Sequence, residues 1–338
     1  MLTTDTDRLS AALPQGYRAR PFEDPDREPL VRERNALYGP MEQGDADEWR
    51  IWERMSPDDS LLRITVEDAA GEIAGSADVS AGGAFQHPDA AQNGGVSVFR
   101  AHRGKGIGRA LLDAMLDEAR RRKAPRFLSG VSAAHPESFA WAAKRGFREI
   151  GRRIESYVEL AAFDPGDFQK KLDDVRASGI VMRTIGEVLR ERDAEGRERF
   201  IRDLYDAETP MWEDVPWATP TPHWAYDRFR HMAFESDRLI EDASIVAYDG
   251  GTIAGFTMTG KRQTKDGYTW MTGTGRDYRG RGLATAIKVE ALARARQMRL
   301  RALLTTNDEP NKAMRGINAK LGYQMLPAHI QLEKTLSA

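Results

Sequence analysis

The feature that most constrains this chain is that it says one thing twice. "RGKGIG" at 103–108 and "RGRGLA" at 279–284 open 176 residues apart, and "KRGF" and "KLGY", with glycines at 146 and 322, repeat that offset. Upstream, "GEIAGSADV" from 71 and "GTIAGFTMT" from 251 match at an offset of 180, so one connection differs in length. Three landmarks in one order mark a tandem repeat of a supersecondary unit rather than a single large core. A length of 338 residues suits two such domains.

Each copy reads alike. Short alternating strands (17–22, 180–185) lead into helical segments, then a hairpin at 61–80 or 244–260; "DGG" at 249–251 is a strong hairpin signal. A strand enters each glycine loop, and an amphipathic helix leaves it. In the first copy Ile107, Leu111, Leu112, Met115, Leu116 and Ala119 form one apolar stripe. A strand, a second helix and a terminal strand follow. The expected class is α/β (α+β with a mixed sheet), with domains at 1–164 and 179–338. The Pro-Gly and charge-rich stretch 165–178 reads as a linker, with room for one short helix.

A glycine-rich turn between a strand and a helix frees main-chain N–H groups and aims them at one point. The new helix adds its dipole, and nearby arginine or lysine adds charge. The ligand such a cradle suits is a phosphate or diphosphate. The P-loop pattern fails for want of its spacing and hydroxyl, and the dinucleotide pattern fails because Gly104, Gly106 and Gly108 are spaced G-x-G-x-G.

The remaining phosphate pattern is Arg/Gln-x-x-Gly-x-Gly/Ala, and here both copies resemble the GCN5-related N-acetyltransferases. The likeness spans nearly the whole chain as two tandem domains, as in mycothiol synthase. It implies acetyl-CoA as cofactor and direct transfer of an acetyl or other acyl group to an amine, with no covalent enzyme intermediate. By this resemblance Arg103, Gly104, Lys105, Gly106, Ile107 and Gly108, and Arg279, Gly280, Arg281, Gly282, Leu283 and Ala284, hold the diphosphate. The main-chain N–H of Val98 or Thr274 faces the thioester carbonyl, with Arg100 and Arg276 adding backbone contacts. The family's proton-donating tyrosine falls on Ala142 and Asn318, and its cofactor-contacting asparagine on His135 and Asn311. Because Asn311 is retained, the second copy is expected to be the catalytic one, and the first a degenerate CoA binder.

For the second copy Glu213 or Asp214 is the expected proton acceptor. Asn318 is placed either near the sulfur or in the core. Trp212, Trp217 and Tyr268 are expected to line the acceptor pocket, within a covering segment at 204–229 that also holds Glu208. Asn311 also suits a helix cap.

Composition excludes several classes. With no cysteine there is no disulfide, thiolate metal site or cysteine nucleophile, and six scattered histidines suggest no metal. A formal net charge of −2 advertises neither nucleic acid nor an anionic membrane. No apolar run approaches the roughly 20 residues of a membrane span, and the opening segment is not a secretory signal, so a cytoplasmic protein acting on a small-molecule amine is expected. Two rivals are a non-catalytic CoA-binding sensor, motivated by the missing tyrosines, and an aminoacyl-tRNA-dependent transferase, disfavoured by the intact loops and balanced charge.

Overall fold

A computed structural model describes residues 6–55, 58–82, 86–217, 221, 223–262 and 265–336. The chain divides into two compact units. The first runs to Arg152 and takes back the chain from His329 onward; the second holds most of what lies between.

In the first unit, α1 (Thr6–Ala12), β1 (Arg18–Pro21), α2 (Arg27–Asn35) and α3 (Ala46–Met55) precede the strands β2 (Leu62–Glu67), β3 (Ile73–Ser80) and β4 (Gln92–Val98). Then come α4 (Ile107–Arg121), β5 (Arg126–Ser132) and α5 (Pro136–Ala143). Strands β1 to β4 pair antiparallel in sequence order. β4 and β5 run parallel, and their pairing stops at Asn93 and Leu128, so the two strands open apart toward the glycine loop. All six apolar positions expected on α4 are buried, and they pack with Ile64, Ala77 and Val79 of the sheet.

β6 (Arg148–Glu159) crosses from the first unit into the second. There follow α6 (Gln169–Ala177), β7 (Ile180–Thr184), α7 (Ile185–Arg190), α8 (Ala194–Glu213), α9 (Tyr226–Arg230), β8 (Ile245–Asp249), β9 (Thr252–Lys261) and β10 (Gly267–Thr274). The remaining elements are α10 (Leu283–Gln297), β11 (Ala302–Asp308), α11 (Lys312–Lys320), β12 (Gln324–Met325) and β13 (His329–Thr335). Strands β7 to β10 are again antiparallel neighbours, and the parallel pairing of β10 with β11 ends at Thr269 and Thr305.

Each unit is closed by a strand from the other copy. β13, the last strand of the chain, pairs antiparallel with β5 over its whole length and completes the first unit. There Glu333 of β13 takes ion pairs from Arg126 at 2.7 Å and Arg148 at 2.6 Å. In the second unit residues 153–159 of β6 lie against β11, antiparallel. The units therefore do not follow the sequence repeat.

The stretch 165–178 contains a short turn and α6, whose Leu172 and Val175 join the core beneath α10. It is the counterpart of α1, whose Leu9 packs into the core containing α4. α7, which the sequence reading passes over, starts on a capping box in which Thr184 and Glu187 satisfy each other's main-chain N–H groups. α8 runs ten residues into the covering segment at 204–229, carrying Pro210 within it. Residues 218–220 and 222 of that segment lie outside the described residues. Among the described residues, no helix is long and apolar enough to cross a membrane.

Candidate active site

The two glycine loops are built alike. Gly106 and Gly282 cap α4 and α10 from the left-handed region, at φ +95° and +83°, where a side chain would be strained. Neither helix start has a side-chain cap. Among the described residues nothing accepts from the N–H groups of Gly104, Lys105 or Gly106, and those of Ile107 and Gly108 belong to the unpaired first turn. A Cβ at Gly104 or Gly280 would meet nothing within 4 Å, so each cradle is open on its ligand side. These residues fit a diphosphate.

The arginine that opens each loop does more than supply charge. Arg103 Nε donates to the Val98 carbonyl at 3.0 Å, and Arg279 Nε donates to Thr274 at 3.1 Å. Each ties the loop to the strand end whose N–H is expected to face the thioester. Phe99 donates to Ala74 on β3 at 2.9 Å, and Gly275 donates to Ala254 on β9 at 3.0 Å. Successive strand residues direct their N–H groups to opposite sides, so those of Val98 and Thr274 point into the wedges left where β4 and β10 part from their parallel neighbours. Among the described residues the Thr274 hydroxyl is buried without a partner.

Beyond this shared frame the copies differ. In the second, Asp214 at the end of α8 pairs with both Arg276, at 2.7 Å, and Arg279, at 2.7 Å. Those two guanidinium groups hold its carboxyl far below the usual carboxylate range. Asp214 is thus spent on the loop's cations and is not poised to receive a proton. The stem of Lys171, from α6, also lies on this loop, 2.8 Å from where a Cβ of Gly282 would stand. In the first copy Glu33 approaches the loop but accepts from the main-chain N–H of Arg100, at 2.8 Å. Among the described residues the side chains of Arg100, Arg103 and Lys105 have no carboxylate partner; Lys105 donates to the Tyr17 hydroxyl at 3.0 Å.

The sheet face opposite the loop helix differs as sharply. In the second unit α8 and its neighbours cover it with an apolar cluster that includes Phe200, Leu204, Met211, Phe256 and Met258. Met211 lies directly on Gly273. In the first unit the same face carries Arg63, Ser76, Asp78, Gly95 and Ser97, joined by register across β2, β3 and β4. The Asp78 carboxyl accepts no hydrogen bond from any described residue. Burial pushes its carboxyl up to about 6, partly offset by the Arg63 charge and reinforced by Glu53. The sequence reading missed it, because in the alternation of β3 an acid at this position reads as facing solvent.

Glu213 is exposed at the end of α8. Asn311 caps α11, its Oδ1 accepting from Met314 N–H at 3.2 Å. Asn318 is 3% exposed and donates to Asn307 Oδ1 at 2.8 Å, a contact of the second unit's interior. Trp212 and Trp217 pack on each other at 4.7 Å, and Tyr268 donates its hydroxyl to Thr306 at 2.6 Å. Glu208 is buried with its carboxyl pushed upward by desolvation, and His223 Nε2 lies 3.7 Å from it. His135, at the asparagine position of the first copy, has its Nε2 3.1 Å from the Leu37 carbonyl.

An open wedge between parallel strands, a glycine cradle at its end and a free N–H beside it define an acyl-CoA transferase fold. The chain belongs to the acetyltransferase (GNAT) family, whose model matches residues 28–147 and 201–323, once in each copy. It is similar in structure to a GCN5-related N-acetyltransferase from Sphaerobacter thermophilus, at 19% identity and a TM-score of 0.72, over 96% of each chain. A tandem GNAT protein from the clavulanic acid biosynthesis pathway is similar at 19% identity and a TM-score of 0.67, over 95% of this chain and 99% of that one. The glucosamine N-acetyltransferase region of a fungal multi-domain GH3 beta-N-acetylglucosaminidase matches at 15% identity and a TM-score of 0.69, over 95% of this chain and 38% of that one. No curated protein sequence matches the chain at a significant level.

Proposed function

We propose that the protein transfers an acetyl group from acetyl-CoA to the amine of a small molecule, and that the first unit carries out the transfer. The observation that carries this reading is the first loop, where five main-chain N–H groups converge beside Arg103 and Lys105 and no described carboxylate neutralises either. Gly104 to Gly108 would hold the diphosphate, and the Val98 N–H would stabilise charge developing on the carbonyl oxygen. Acetyl-CoA supplies an acyl group activated as a thioester. The expectation from sequence favoured the second copy; Asp214 on Arg276 and Arg279, together with the apolar cover of that unit's sheet face, favours the first.

The test is calorimetric titration with acetyl-CoA, followed by thiol release against a panel of primary amines. The reading requires binding that Gly106→Val abolishes, and turnover of at least one amine. Saturating acetyl-CoA with no heat and no protection of the first loop from hydrogen exchange would overturn it.

A further inference from the structure

We propose that Asp78 is the catalytic residue that takes the proton from the acceptor, and that the acceptor of this face is a primary amine arriving as a cation. This rests on the transferase reading above and adds to it the base and the charge class of the substrate.

Asp78 lies on β3, on the face turned away from α4, flanked in register by Arg63 of β2 and Gly95 of β4. Its Oδ1 is 3.9 Å from where a Cβ of Gly95 would stand, so no side chain projects from β4 to cover it there. The charged groups that face it are already committed to one another. Arg63 Nη1 pairs with Glu53 of α3 at 2.7 Å, and its guanidinium lies over the rings of Trp49, at 4.5 Å, and Phe22, at 4.8 Å. From β4 the face presents only Asn93, Gly95 and Ser97. A half-buried carboxylate left unsatisfied costs stability, and an arriving ammonium group would remove that cost.

The placement also suits the reaction. Gly95 is three residues from Val98, about 10 Å along the strand. An amine nitrogen and one water, each at hydrogen-bond distance, span that gap between carboxylate and carbonyl. Through that water the ammonium gives one proton to Asp78 and becomes the nucleophile. The new N–C bond forms as C–S breaks; the second nitrogen proton goes to the departing thiolate, and Asp78 passes its own proton to water. The net products are an amide, a thiol and one proton. Burial sets the Asp78 carboxyl near 6, ionised at neutral pH yet basic enough to accept. The second copy holds Met258 at this position, with Met271 across from it, and so lacks the base.

The experiment compares the wild type with Asp78→Asn and Asp78→Glu in three measurements. The first is acetyl-CoA affinity, expected to be the same within twofold in all three proteins. The second is the pH profile of turnover with the best amine of the panel or, where none turns over, of acetyl-CoA hydrolysis with water in the amine's place. A limb with a midpoint near 6 is expected in the wild type, together with a 100-fold or greater loss of rate and loss of that limb in Asp78→Asn, and partial rescue by Asp78→Glu. The third uses aspartate labelled with carbon-13 at the carboxyl, in protein without acetyl-CoA: one resonance should titrate near 6, move on adding amine, and vanish in Asp78→Asn. An Asp78→Asn protein that binds acetyl-CoA, turns over within twofold and keeps the acid limb overturns the assignment while leaving the transferase reading intact. Failure of the wild type to bind acetyl-CoA overturns both.

Discussion

Asp214 Oδ2 accepts from Nη2 of Arg279 at 2.7 Å, so a carboxylate of α8 holds the arginine that opens the second glycine loop. The same carboxylate engages Arg276 through two further bonds of 2.8 and 2.7 Å. An anion is therefore already seated on the cations that a diphosphate would seek. Asp214→Asn should raise the affinity of the second loop for acetyl-CoA about tenfold or more, the scale of a lost charge-assisted hydrogen bond. Calorimetry should then count close to one equivalent in the wild type and two in the variant. Two equal sites in the wild type would contradict this.

The copies should also respond differently to loss of the loop arginine. Arg103 bonds the Val98 carbonyl, and its charge is otherwise unclaimed, so Arg103→Ala should weaken acetyl-CoA binding about tenfold and lower turnover with it. Arg279→Ala, in the loop that Asp214 already neutralises, should change turnover less than twofold. The reverse pattern would assign the chemistry to the second unit.

Lys288 predicts a pH-dependent cost. It is 2% exposed on α10, lies 5.1 Å from the ring of Tyr323 with no carboxylate partner among the described residues, and burial lowers its ammonium to about 8. In the first copy the same positions, 176 residues earlier, are Leu112 and Phe147. The unfolded chain holds this proton up to the ordinary 10.5, so between 8 and 10.5 unfolding takes up a proton and stability rises with pH. Below 8 the penalty is present in full. Lys288→Leu should therefore stabilise the second unit by about 3 kcal/mol at pH 7, from 1.36 kcal/mol per unit of displacement, with a gain that shrinks toward pH 10.5. Denaturant melts at several pH values check this; a gain independent of pH would count against it.

Asn318 separates structure from chemistry. Its Nδ2 serves Asn307, while among the described residues its own Oδ1 is buried without a partner. Asn318→Ala leaves Asn307 unsatisfied and should cost about 1–3 kcal/mol of stability. Turnover by the folded protein should hold within twofold. A large loss of turnover in a protein of unchanged stability would place Asn318 beside the sulfur instead.

Much of this was legible in the residues. The repeat, the apolar stripe of α4 and the hairpins follow from local periodicity, and the glycine loops carry their chemistry in their spacing. What escaped depends on partners far apart in the chain. Asp214 and Arg279 are 65 residues apart, and nothing local to "WEDVP" says that its acid is committed to an arginine. Pro210 reads as a helix breaker, yet α8 runs through it because its apolar face is held against β9 and β10. Asp78 was hidden for the opposite reason: strict alternation assigns a polar residue to a solvated face, and only the register shows that face to be half-covered. The exchange of closing strands was invisible because two strands of similar alternation fit either gap equally well.

That exchange has a consequence for how the polypeptide is made. β13, which finishes the first unit, is made only after every other strand of the second copy, so this unit waits with β5 unpaired on that side while residues 133–328 are synthesised. A gene cut between the repeats would yield two fragments, each with an unfilled slot shaped for a piece of the other. They should dissolve poorly alone and recover one another when co-expressed, and a stop codon ahead of His329 would cripple the distant half rather than the near one.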